Sequence, residues 1–245
     1  MRRSMILSGL FGVLALATGP IALAQDNERS AAGILAAALA RVENPDGVFR
    51  IAGEDVIHVQ SGLDCPAHVG NAFLAQVSDF DADQDRGAEV GCEYGRRATS
   101  DANDFVARHT IYAVKLPDGG TLDGAFAQSR QEMYAVATQG VHSNGPSLIM
   151  TGGPDGFPEF RSEEILYRKG AQVWKTELIV ALLNGWIVEM RSTRAPWTGQ
   201  PGEISDDQNV GAMLFFKTVH ALGGPEYNPE YISIPLPPPD PGTKL

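Results

Sequence analysis

The residues of this chain that could do chemistry are few and widely separated. There are five histidines, His58, His68, His109, His142 and His220. None pairs with another at a metal-ligand spacing, and no H-E-x-x-H is present. No G-x-S-x-G elbow occurs. Gly152-Gly153-Pro154-Asp155-Gly156 is Gly-rich, but its proline and its lack of a lysine make it a turn rather than a phosphate cradle. A hydrolytic site would have to be assembled from distant positions, for which His58, His109, His142, Asp101 and Glu164 are the acid–base candidates. Asp79, Asp81, Asp83 and Asp85 alternate along one stretch. As a calcium loop starting at Asp81 the stretch fails, with Arg86 where glycine is needed and Cys92 where the bidentate glutamate is needed. It reads instead as the solvated tip of a hairpin. No catalytic residue, metal ligand or cofactor is therefore assigned.

Cys65 and Cys92 are the two cysteines. The first residues say which compartment they meet. Arg2 and Arg3 form a charged start, Met5 to Ala17 an apolar run, and Ala22-Leu23-Ala24 an A-x-A cleavage site. The run is short for a membrane span and is followed by Gly19-Pro20, so export with cleavage before Gln25 is expected. In an exported chain an even cysteine count reads as a disulfide. Free or redox-active thiols are the alternative, and a C-x-x-C spacing, which would have favoured redox catalysis, is absent.

At 245 residues, 43% hydrophobic and 20% charged, the chain has globular composition. Its formal charge of -11 becomes more negative when Arg2 and Arg3 leave with the signal. That acidity argues against sequence-independent nucleic-acid binding and against a polybasic membrane module. Trp197, beside Pro196 in a loop, is the aromatic best placed to touch a ligand or partner, and a plain loop plug is the alternative.

The elements that must position these residues are short strands and three helices. Ser30 can cap a helix to Val42, with Ile34, Leu35, Ala38, Leu39 and Val42 as its apolar stripe. Strands are expected over 48–51, 55–60, within 71–80, over 89–94, 105–116 and 163–168. A second helix opens at Thr121 and runs to about Gln139, burying Leu122, Ala125, Phe126, Ser129, Met133, Val136 and Ala137. The stretch from His142 to Phe157 reads as a loop. A third helix, 205–222, is closed by Gly223-Gly224 and is apolar on most sides. The segment after it holds Pro237-Pro238-Pro239 and reads as extended or polyproline II.

The most informative stretch is Ala171 to Arg194, a hairpin about Asn184-Gly185. A two-residue turn pairs Leu183 with Trp186, Ala181 with Val188 and Ile179 with Met190 on one face. It pairs Leu182 with Ile187, Val180 with Glu189 and Leu178 with Arg191 on the other. The first strand, apolar on both faces, should run through the middle of a sheet. The second alternates from Val188, which puts Glu189 on a face that meets water.

Three stretches resemble the PsbP-like family of exported and lumenal proteins. They are Cys92-Glu93-Tyr94 with His109-Thr110-Ile111-Tyr112-Ala113-Val114, the helix from Thr121, and Gly185-Trp186-Ile187-Val188-Glu189-Met190-Arg191-Ser192-Thr193. The resemblance covers about 48–224. It implies an antiparallel sheet flanked by helices and, since most members lack enzymatic activity, an accessory role.

The expectation is thus an α+β chain built as an antiparallel β-sheet flanked by helices, an α/β sandwich. It comprises a signal peptide over 1–24, a helix and linker over 25–46, one domain over 47–224 and a Pro-rich tail over 225–245. Functionally it reads as a periplasmic or secreted, non-catalytic accessory or binding protein of the cell envelope. Its partner would be a protein or small molecule, with no nucleic acid and no membrane anchor after cleavage. An envelope hydrolase is the alternative.

Overall fold

Asn184 and Gly185 both take positive φ, 50° and 81°, as the hairpin turn requires. The strands they join pair in the expected register, Leu183 with Trp186 through Leu178 with Arg191. The computed structural model describes residues 30–80, 85–97, 105–137, 142–143, 148–150, 158–194 and 206–225. The signal segment 1–24, the tail from 226 onward, Asp81, Asp83, Asp101 and Trp197 lie outside the described residues.

In chain order the elements are α1 (Ala31–Leu39), β1 (Phe49–Ala52), β2 (Asp55–His58), β3 (Asp64–Pro66), β4 (His68–Val69), β5 (Ala72–Asp79), β6 (Glu89–Arg97) and β7 (Phe105–Lys115). Then come α2 (Leu122–Val136), β8 (His142–Ser143), β9 (Leu148–Met150), β10 (Phe160–Lys169), β11 (Gln172–Leu183), β12 (Trp186–Arg194) and α3 (Asp206–Ala221). Strands β1, β2 and β3 form a small sheet. The large one runs β4-β5-β6-β7-β12-β11-β10, with β8 and β9 both on the outer edge of β10. Every pairing between these strands is antiparallel. The class is α+β, as expected.

The segment expected to be a loop from His142 contributes two short strands, and β3 and β4 add two more. At two or three residues each they are too short to show a period of two. Pairing with a longer neighbour, not local pattern, makes them strands.

One face of the large sheet carries Ile179, Ala181, Val188 and Met190. These share a core with Ile34 and Leu35 of α1, Val56 and Leu63 of the small sheet region, and Leu214, Phe215 and Val219 of α3. Ser30 caps α1, its Oγ accepting from Gly33 N at 3.3 Å. Gly223, at φ 89°, closes α3, with Gly224 N donating to the Val219 carbonyl at 2.8 Å. The opposite face carries Leu178, Val180 and Ile187 and packs against Leu122 and Met133 of α2. That helix starts at Thr121, whose Oγ1 accepts from Gly124 N at 3.1 Å. Val136, expected on the buried stripe, is 65% exposed.

The face expected to meet water is the one α2 covers. Glu189 is buried there, accepting from Ser129 Oγ and pairing with Arg191. Strand β12 lies between β7 and β11 and is as interior as β11. Alternation in β12 records a polar network under a helix, not a wet face.

Candidate functional site

The cysteines are joined. The Cys65–Cys92 disulfide spans a Cα separation of 6.1 Å and ties β3 of the small sheet to β6 of the large one. Both residues are fully buried.

The five acid–base candidates divide. His58 is buried between the rings of Phe49 and Trp186, with centroids 5.7 and 5.6 Å away. Its Nδ1 accepts from Ser61 Oγ at 2.7 Å and Ser61 N at 3.2 Å, a local turn. Burial pushes its pKa down to about 4, opposed by Asp79. Ser61 Oγ also accepts from Leu63 N at 3.0 Å, so this serine–histidine pair holds the bend after β2. Asp101 lies outside the described residues, and His142 is placed only by its register opposite Leu166.

His109 and Glu164 fall on one lateral row of the large sheet. The register runs Glu164 (β10), Glu177 (β11), Ser192 (β12), His109 (β7) and Tyr94 (β6). All five lie on the face that carries Met190. His109 Nδ1 bonds Ser192 Oγ at 2.8 Å, and both residues are buried. A Cβ on Gly211 of α3 would come within 3.2 Å of Ser192, so the helix lies directly over that serine. Glu164 and Glu177 are direct cross-strand partners, which costs stability when both are charged. Lys175 pairs with Glu164. The Glu177 carboxyl is pushed up by burial and then by Glu164, with Lys175 and Arg194 opposing. Two neighbouring carboxyl groups in different electrostatic settings are the raw material of acid–base catalysis.

A second concentration of polar groups is open to solvent. A cleft of about 400 Å³ lies between α3 and the β3–β4 margin. Pro66, His68, Val69, Met213, Lys217 and His220 line it. Met213, Lys217 and His220 sit at i, i+4 and i+7 on α3, which puts them on one helix face. Lys217 Nζ lies 3.0 Å from Asp64 Oδ2 and 3.8 Å from Asp55 Oδ1. Burial pushes the Asp64 carboxyl up, against the pull of Lys217. His220 Nδ1 is 3.3 Å from the Gly224 carbonyl.

Of the acidic run, Asp79 ends β5 and Asp85 precedes β6, its antiparallel partner, and Asp81 and Asp83 lie outside the described residues. Asp79 Oδ1 accepts from Gly87 N at 3.1 Å and Asp85 pairs with Lys115 at 3.7 Å. Among the described residues no group of three or more His, Cys, Asp or Glu could hold a metal ion, and no helix is long and apolar enough to cross a membrane. The disulfide is compatible with an oxidising compartment.

No protein-family model matches the chain, and no curated protein matches it in sequence.

Sequence reasoning named His109 and Glu164 but missed Glu177, Ser192, Lys175 and the cleft. The row is built from five strands, so no spacing along the chain encodes it. One signal was present: Lys175-Thr176-Glu177 is a polar end on a strand otherwise apolar to Leu183. The cleft had another, since Met213, Lys217 and His220 share a helical face.

Proposed function

We propose that this is an exported, non-catalytic binding or accessory protein of the cell envelope, with the α3–β4 cleft as its ligand site. The observation that carries this reading is the cleft itself. Its volume falls in the range of small-molecule sites, and it sets a held ammonium and two imidazoles against apolar walls. Ser61, His58, Ser192 and His109 take part in hydrogen bonds within the fold. The resemblance to the PsbP-like family belongs to the same reading, as does cleavage of the signal segment on export. The test is to incubate the mature protein with envelope extract, re-isolate it and identify what it carries by mass spectrometry. Recovery of an unaltered molecule is expected, and its loss on substituting Met213 would place it in the cleft. Conversion of that molecule to a product would overturn the reading.

One observation favours the alternative, an envelope hydrolase. The Glu164–Glu177 pair would supply an acid and a base on neighbouring strands. Turnover of a chromogenic ester or glycoside panel that Glu177→Gln abolishes would establish it.

A further inference from the structure

The bend after β2 is fastened by a histidine in one protonation state only. Ser61 N donates to His58 Nδ1 at 3.2 Å. A backbone N–H only donates, so Nδ1 keeps its lone pair and the ring proton sits on Nε2. Ser61 Oγ, 2.7 Å from the same nitrogen and accepting from Leu63 N, turns its own hydrogen to the ring. His58 N donates to the Leu63 carbonyl and Gly62 N to the His58 carbonyl, each at 2.9 Å, which closes the bend.

An imidazolium carries N–H on both nitrogens. A second proton goes onto Nδ1 and meets the Ser61 N–H donor to donor. The hydroxyl can rotate and accept; the amide cannot. Nε2 offers no compensation, being buried without a hydrogen-bond partner among the described residues. Phe49 of β1 and Trp186 of β12 flank the ring, and a Cβ on Gly87 would come within 3.1 Å of Nε2. Asp79 of β5 is the charge that acts on the ring, and it favours the cation against burial. The other charges nearby are engaged elsewhere. Arg86 donates to the Asp46 carbonyl, Asp85 pairs with Lys115, and Arg50, one position along from Phe49, lies on the opposite face of β1.

Two contacts carry the bend to the C-terminal end of α3. A Cβ on Gly62 would come within 3.2 Å of the Ala221 carbonyl, so the bend rests on the last turn of the helix. Trp186, against the His58 ring, directly follows the turn in which Asn184 Nδ2 donates to the Leu222 carbonyl. Beyond them, Gly223 N bonds the His220 carbonyl and Gly224 N the Val219 carbonyl.

We propose that the His58–Ser61 bend is an acid-released latch: the neutral ring fastens the C-terminal end of α3, and protonation of His58 expels the Ser61 N–H and frees that helix end. α3 is also one wall of the cleft. The latch does not depend on the cleft's holding a ligand.

The test is an NMR pH titration of the isotope-labelled mature protein. At neutral pH the His58 ring should carry its proton on Nε2. On acidification the amide resonances of Ser61, Leu63, Gly223 and Gly224 should shift together, with the midpoint of the His58 ring, about 4. The rest of the native spectrum should persist. Asp79→Asn keeps an acceptor for Gly87 N and removes the charge that favours the cation. It should lower the shared midpoint and leave the joint shift in place; if that variant does not fold, the wild-type titration alone decides. Five results overturn the inference. They are a proton on Nδ1 at neutral pH, a His58 ring that titrates while the Ser61 or Gly223 amide stays put, a shift at Gly223 and Gly224 that follows the His220 ring, a joint shift lost in folded Asp79→Asn, and loss of all native resonances before His58 titrates.

Discussion

On one face of the large sheet, Ile179, Ala181, Val188 and Met190 share a continuous apolar core with α1, α3 and the small sheet. On the other, α2 buries Leu122 and Met133 and holds the remainder through charge. Ser129 Oγ donates to Glu189, Arg191 reaches Glu132 at 2.6 Å, and Arg130 and the Tyr134 hydroxyl both donate to Glu163. The same two strands, β11 and β12, serve both faces. An apolar layer gains from every methylene removed from water and tolerates no unpaired charge. A buried ionic layer gains little net stability but loses much when one partner is removed. The two faces should therefore fail in opposite ways.

The largest effect belongs to the apolar face. Ala181 is fully buried there, opposite Val188. Ala181→Asp places an unpaired carboxylate in that core and should abolish folding. Soluble, cooperatively melting Ala181→Asp protein would show that the core is not where the register puts it.

Next comes the disulfide, which closes the same face by tying β3 to β6. For a sequence separation of 27 the chain-entropy account gives roughly 3.5 kcal/mol. The Cys65→Ser, Cys92→Ser double variant should lose about that much in denaturant unfolding. A midpoint unchanged from that of the oxidised wild type would remove the bridge from the stability of this face.

His58 gives the apolar side a pH dependence. Its pKa falls from 6.5 to about 4 on folding, because burial penalises the cation. The unfolded chain then binds the extra proton between those values. The His58 contribution is fully present above about 6.5 and is lost as the pH falls toward 4, by about 3 kcal/mol in all. Glu189 and Glu177 carry the opposite sign. Their carboxyls are raised, so their contribution is present at low pH and is lost as the pH rises through the raised values. The measurement is the difference in stability between wild type and His58→Gln at pH 7 and pH 4.5. A difference independent of pH would mean that His58 is not kept neutral by the fold.

How much of this was legible depended on the range of the signal. Asn184-Gly185 fixed one turn locally, and nine cross-strand pairs followed from it. Ser30 and Thr121 each announced a helix start by a cap that acts three residues away. Val136 was misplaced because a helical stripe gives a direction but not the width of what it meets. The Glu164–Glu177–Ser192–His109 row was hidden because adjacency across strands depends on which strands are neighbours. Strand β12 lands beside β7 only after α2 has crossed over, and nothing within β12 says so.

Glu189 is where the comparison is sharpest and the expected effect smallest. Alternation alone put it in water, where Glu189→Gln would shift stability by less than about 0.5 kcal/mol. Beneath α2 it accepts from Ser129 and pairs with Arg191, which also lies 6.0 Å from the Tyr112 ring. The amide keeps the shape and can still accept from Ser129, so the hydroxyl is not orphaned. What it removes is the charge that balances Arg191, and Glu132, at 2.6 Å, takes up part of that role. Burial also holds the Glu189 carboxyl above its usual range, so desolvation offsets part of what its charge contributes. The cost should be about 1 kcal/mol at pH 7. Glu189→Ala orphans Ser129 as well and should cost about 1–3 kcal/mol more. Denaturant midpoints of the two variants decide the matter. Equal, near-zero shifts would return Glu189 to solvent and leave α2 resting on its apolar contacts alone.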